Sequence, residues 1–289
     1  MTAMPPSMEA QAWHEAPTSA GVIRYRDVGT GDPVVFVHGV LSSSTLWGWI
    51  LPSLALSCRC LAPDWPLGSH TLALQAGADL SPPGLARLIV EFCDSLGLDR
   101  VTLVGNDTGG ALCQIVAAHH PARVRRLILT PCDAYDNFPP AKIFRLLNLA
   151  GRTPGGLRLT GHVMRARPLQ RLPVTLGHLI KHRPDPAVVD GWFEPIRVQA
   201  GVRRDLAKLL RALDPRHTIE AAERLRSFGA PVLLAWATED RVFPFEHARR
   251  LAADMPDARL ESIGDSYSFV PLDQPSRLAE LIAAFLAST

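Results

Sequence analysis

Gly105-Asn106-Asp107-Thr108-Gly109 is the segment of this sequence best placed to do chemistry. It stands between an apolar run, 101–104, which reads as a strand, and an apolar stretch, 111–120, which reads as a helix and stops before Pro121. A strand-to-helix turn this tight needs glycine on both flanks, because a Cβ there would meet neighbouring backbone. Asp107 is then held out on a strained turn above the carboxyl end of a sheet. The backbone N–H of Thr108 points into the same space at a helix N-terminus, where negative charge is stabilised. The plainer alternative is an ordinary glycine-rich turn. His38-Gly39, closing the apolar run 34–37, favours the functional reading.

An aspartate at such a turn restricts the reaction. Carboxylate attack on an ester or amide gives a labile anhydride. Attack at saturated carbon, opening an epoxide or displacing a halide, gives a stable ester. A second step must then hydrolyse that ester with water activated by a positioned base.

The elements around this turn alternate. Strands are expected over 21–28, 34–37, 59–62, 101–104, 124–130, 231–237 and 258–263. Helices are expected over 45–56, 82–96, 111–120, 245–253 and 275–287. Strands separated by helices imply parallel pairing with right-handed crossovers, hence an α/β class. The alternation breaks over 137–222, which has helical pieces and no clear strand. That stretch carries twelve arginines and three lysines against six acidic residues, a balance of +9 in a chain of net charge +2. Four segments follow: a loose tail over 1–20, a first core part over 21–136, a helical insertion over 137–222 and a second core part over 223–289.

Here the chain resembles the α/β-hydrolase superfamily, in its aspartate-nucleophile branch of epoxide hydrolases and haloalkane dehalogenases. The resemblance is carried by 34–39, by Pro63-Asp64, by 104–110, by Leu234-Ala235-Trp236-Ala237-Thr238-Glu239-Asp240 and by 269–275. It implies that 137–222 is a cap roofing the active site. Asp107 carries over as the nucleophile and Asp240 as the acid that orients a histidine. The backbone N–H groups of Thr108 and of Val40 or Leu41 carry over as the oxyanion or leaving-group site. Asp240 as a helix cap and His38-Gly39 as a structural turn are the plainer alternatives. Asp133, after another strand end, is an alternative acid.

The sequence departs from this pattern in one informative place. Aligning 269–275 with the family puts Ser268 where the histidine belongs, and 264–269 contains no histidine. His70 or His247 can substitute as base, or each can be a solvated or locally bonded histidine. Asp107 can instead serve as base in a non-hydrolytic lyase or isomerase reaction, or the chain can bind a ligand with little turnover. Dehalogenases usually carry tryptophan after the nucleophile and a polar residue after His-Gly; Thr108 and Val40 stand there instead, which favours an epoxide over a halide. Epoxide hydrolases use two cap tyrosines as acids. This chain has only Tyr25, Tyr135 and Tyr267, none within 137–222. Tyr267 can donate a proton or simply pack. In the cap, Trp192 and Phe193 are candidates to line the pocket, with His38 beneath them.

The remaining expectations are negative or broad. A near-neutral chain is not a general nucleic-acid binder. No run approaches the ~20 apolar residues of a membrane helix, and 1–20 holds no apolar run suited to a signal peptide. Five cysteines with no CxxC pair argue against a disulfide framework or a structural zinc site, and point to a reducing, cytoplasmic setting. No cofactor or metal is expected. The substrate is a small molecule; the basic cap suggests an anionic one, or its arginines are merely solvated. The oligomeric state is not legible.

Overall fold

A computed structural model describes residues 12–289. It contains an eight-stranded sheet in the order β1-β2-β4-β3-β5-β6-β7-β8. The strands are β1 His14–Thr18, β2 Gly21–Val28, β3 Pro33–Val37, β4 Arg59–Pro63, β5 Val101–Asp107, β6 Val124–Cys132, β7 Val232–Ala237 and β8 Ala258–Ile263. β1 pairs antiparallel with β2, and β2 antiparallel with β4. From β4 onward neighbours are parallel, with Val34 to Val37 of β3 opposite Thr102 to Gly105 of β5. Every residue of β5 and β7 is buried, as strands covered on both faces require.

Three expectations change. The loose tail ends sooner than 20, because His14–Thr18 forms an edge strand; residues 1–11 lie outside the described residues. The helix expected over 45–56 is two short pieces, a 3-10 turn at Ser44–Trp47 and a helix at Leu51–Leu54, separated at Gly48. Between β6 and β7 the insertion contains helices Ala141–Arg152, Gly156–Val163, Arg167–Gln170, Pro186–Val198 and Ala200–Ala212. The boundary expected at 222 falls inside a further helix, Arg216–Leu225, which packs along Thr108–His119 beneath the sheet edge. The insertion therefore stops near Pro215.

Three basic residues of the insertion join it to the body. Lys208 Nζ donates to the carbonyls of Ala76 and Ala78 at 2.7 and 2.8 Å. Arg204 donates to the Leu74 carbonyl and pairs with Asp205. Lys181 bridges Glu239 at 2.6 Å and Asp265 at 2.9 Å. Asp273 of the body accepts from the backbone N–H groups of Lys181 and His182.

The turn after β5 is built from close approaches. Asp107 has φ 53° and ψ −135°, a left-handed backbone that an L-residue adopts only when its surroundings enforce it. A Cβ on Gly109 would lie 2.1 Å from the Val37 carbonyl, and one on Gly110 would lie 2.3 Å from the Cys132 Cβ. Because Gly109 meets backbone rather than a movable side chain, Gly109→Ala is expected to cost about 2 kcal/mol or more of stability. Urea denaturation measures this, and an unchanged midpoint would show that the turn relaxes freely.

Candidate active site

The parallel strands deliver their last residues to one edge of the sheet, the usual position of sites in open α/β folds. β5 ends on Asp107, β6 leads into Asp133, β7 leads to Asp240 and β8 leads to Ser268. The Asp107 carboxyl accepts hydrogen bonds from the backbone N–H groups of Thr108 and Val40. Val40, rather than Leu41, supplies the second donor, because the Leu41 N–H is already bonded to the Leu67 carbonyl at 3.0 Å. Gly39 makes room for this approach: a Cβ there would sit 1.9 Å from Asp107 Oδ2.

Asp107 forms the floor of a cavity of about 440 Å³ roofed by the insertion. The lining is aliphatic and aromatic, with Phe144, Leu147, Met164, Phe193 and Phe243 among its members. Asp107 is the one ionisable side chain among the described lining residues, none of which is an arginine or lysine. An anionic substrate was expected from the cap's charge. The lining does not match it, since those cations point to the body or to solvent.

Burial, with a smaller push from the Asp240 charge, raises the Asp107 carboxyl to about 7 against the two N–H donors. Asp240 is likewise raised to about 7 by burial, although it accepts from the Val242 and Phe243 N–H groups and from the Ser268 hydroxyl. The Ser268 Oγ to Asp240 Oδ1 distance is 2.9 Å. Asp240 Oδ2 has no hydrogen-bond partner among the described residues. Asp133 lies beside this pair, accepting from the Thr108 hydroxyl at 3.2 Å, and is pushed well above the carboxylate range by burial and by Asp107. Asn106, which the sequence reading passed over, braces the edge: its amide donates to Thr130 Oγ1, the Pro131 carbonyl and the Ser268 carbonyl. An amide beside the elbow was the available signal.

Other candidates lie apart from the cavity. His70 is buried against Asp205 of the insertion, Nε2 to Oδ2 3.4 Å. His247 packs edge-on to Tyr135, ring centroids 6.0 Å apart, and burial lowers its pKa. Neither lines the cavity, and no histidine does. Tyr267 is covered by Arg241, 4.4 Å from its centroid, and by Lys181 at 5.8 Å; it does not reach the cavity. Trp192 is fully buried, its indole N–H donating to Thr45 Oγ1 at 2.8 Å and its ring edge-on to Phe269. It fastens the insertion to the body, as a buried indole needs a partner for its N–H, and leaves Phe193 as the pocket residue of that pair. His38 lies below the cavity. Its Nε2 accepts from the Trp65 N–H at 2.9 Å, so Nδ1 carries the proton and donates to the Gly39 carbonyl at 2.9 Å. Burial lowers it to about 4, so it is a neutral structural strut.

A carboxyl raised on folding makes the protein most stable where that carboxyl is protonated in both states, and the contribution is lost as pH rises through the folded value. For Asp240 the window runs from its ordinary value near 4 up to about 7. Relative to Asp240→Asn, the wild type should therefore lose stability between about pH 4 and pH 7 and no further above that. Parallel urea titrations read this difference, and one that stays flat with pH would show that Asp240 is ionised throughout.

The comparisons agree with this architecture. The Alpha/beta hydrolase family profile matches residues 34–281. Haloalkane dehalogenase 2 of Mycobacterium bovis is 30% identical over 278 residues, covering 92% of this chain and 91% of that protein. The 2-hydroxymuconate semialdehyde hydrolase of Pseudomonas sp. (strain CF600) is 27% identical over 271 residues, covering 90% and 89%. A solved epoxide hydrolase has the same fold, with a TM-score of 0.77 over 96% of this chain and 99% of that one at 18% identity. Sheet order, elbow, insertion and sequence match together mean that this chain belongs to the α/β hydrolase family.

Proposed function

We propose that this chain is a hydrolase-type enzyme whose Asp107 carboxylate attacks a saturated carbon of a small apolar electrophile, an epoxide in preference to an alkyl halide. The observation that carries this reading is that Asp107, alone among the described ionisable groups, opens into the apolar cavity, on a strained turn between two N–H donors. In the step proposed, an Asp107 Oδ–carbon bond forms as the ring C–O bond breaks, and the alkoxide takes its proton from water at the mouth. The Val40 and Thr108 N–H groups hold the carboxyl in position. The aliphatic lining suits a substrate without charge. The halide route has less support, since Val40 and Thr108 offer no side-chain N–H to a leaving halide.

The second half-reaction lacks a base in this reading. Ser268 cannot take a proton from water at neutral pH, and its hydroxyl is committed to Asp240. The ester on Asp107 is therefore long-lived. A second reading has its own support: a carboxyl near 7 in an apolar cavity suits proton transfer, as an isomerase or lyase needs.

Intact-mass spectrometry after exposure to a panel of epoxides and alkyl halides tests the first reading. The expected result is one substrate mass on the peptide containing Asp107, persisting for minutes, absent in Asp107→Asn. Adduct formation should speed up as pH rises through about 7, because the carboxylate is the reacting form. Ser268→His should shorten the adduct lifetime by about tenfold or more, a scale typical of a positioned base. Rapid turnover in Asp107→Asn would overturn the assignment. A product isomeric with its substrate, carrying solvent deuterium and leaving no adduct, would select the proton-transfer reading.

A further inference from the structure

The residues that line the mouth of the cavity are also exposed apolar surface. Leu146, Leu149 and Leu159 are 57%, 62% and 63% exposed, and Val163 and Val174 are partly open as well, yet all five contribute to the cavity wall. Monomeric surfaces seldom leave such large aliphatic groups in water at one place without a partner. The cavity therefore continues outward as an apolar rim.

The stretch of chain that forms that rim carries one sign of charge. Between Asp136 and Asp185 the sequence has no acidic residue. Arg145 and Arg152 flank Leu146 and Leu149 on the helix Ala141–Arg152, and Arg158 precedes Leu159 on the next helix. Arg165 and Arg171 follow in the same stretch. All five are exposed, and none makes an ion pair or a side-chain hydrogen bond among the described residues. The cations that bind the insertion to the body, Lys181, Arg204 and Lys208, are different ones.

From this apolar rim set among unpaired arginines we propose that the mouth of the cavity docks on an anionic lipid surface, with the exposed leucines entering the acyl boundary and the arginines meeting the headgroups. Leucines on one part of a surface with arginines around them form the pattern of an interfacial element that lies on a bilayer without crossing it. A second copy of the chain is disfavoured as occupant, because pairing two such faces opposes like charges. An acidic protein would satisfy the arginines. It would not explain why the rim residues are those of the cavity, whereas an acyl medium wets both continuously. The inference concerns how substrate arrives and stands apart from the chemistry at Asp107.

Co-sedimentation with vesicles of phosphatidylglycerol and phosphatidylcholine in equal parts, against pure phosphatidylcholine, tests it on the full chain. The expected result is at least tenfold more binding to the anionic vesicles, falling with salt as the surface field is screened. Arg158→Gln and Arg165→Gln should each weaken binding about fivefold, at roughly 1 kcal/mol per cation near such a surface. Leu149→Ser with Leu159→Ser should abolish it with an unchanged thermal unfolding curve, since both side chains already face solvent. Equal binding to the two vesicle types, or none to either, would overturn the proposal. So would a concentration-dependent dimer lost in the double leucine variant, which would make the rim an interface between copies.

Discussion

Burying the Asp107 carboxyl is the constraint that the rest of this molecule accommodates. A carboxylate taken out of water loses more than any single hydrogen bond returns. The fold offers two backbone N–H groups, from Val40 and Thr108, and the amino end of the helix Thr108–His119. Bringing three chain segments that close is possible only because Gly39, Gly109 and Gly110 leave no Cβ in the way. The compensation is partial, and the carboxyl stays near 7. The apolar roof then keeps water from restoring the carboxylate to its ordinary range.

The roof must be attached without putting charge into the cavity. The insertion does this by pointing its cations away from Asp107. Lys181, Arg204 and Lys208 reach body carboxylates and carbonyls around the rim. Exposed pairs of this kind are each worth little. The firmer attachments are buried: Trp192 on Thr45 and Phe269, and Asp205 taking His70, the Leu74 N–H and Arg204 together. Charge asymmetry along the chain thus reports two surfaces, a seam and a mouth, and not the character of the pocket between them.

The sheet and the elbow were legible in sequence because both are written locally. A run such as Val101–Val104 followed by Gly-x-Asp-x-Gly encodes strand, turn and helix within a dozen residues, and Asp240 after Leu234–Ala237 is readable in the same way. What was not legible depends on contacts far apart in the chain. Nothing near Leu41 in sequence says that its N–H is taken by Leu67. Nothing near Trp192 says that Thr45, 147 positions away, accepts its indole proton. His70 reads as a loop histidine near a strand end until Asp205 is placed beside it. The short strand His14–Thr18 was missed because it holds a proline and charged residues, which an edge strand tolerates and a central one does not.

The serine after β8 is best understood through the two carboxyls it sits near. Asp107 and Asp240 are both buried and both raised to about 7, and the Asp240 charge opposes that of Asp107. An imidazole between such groups would supply a cation and let both ionise. Ser268 supplies a hydroxyl, which can donate to a charged Asp240 or accept from a protonated one, so it tolerates either state. Without a cation, ionising one carboxyl favours the proton staying on the other. In the proposed attack the competent state is Asp107 charged with Asp240 neutral. The donors divide between the two carboxyls: Val40 and Thr108 act on Asp107, which lines the cavity, while Val242, Phe243 and Ser268 all donate to Asp240 Oδ1, so they do not fix the charge on one of them. With a hydroxyl in place of a cation, the two buried carboxyls share ionisation near neutral pH.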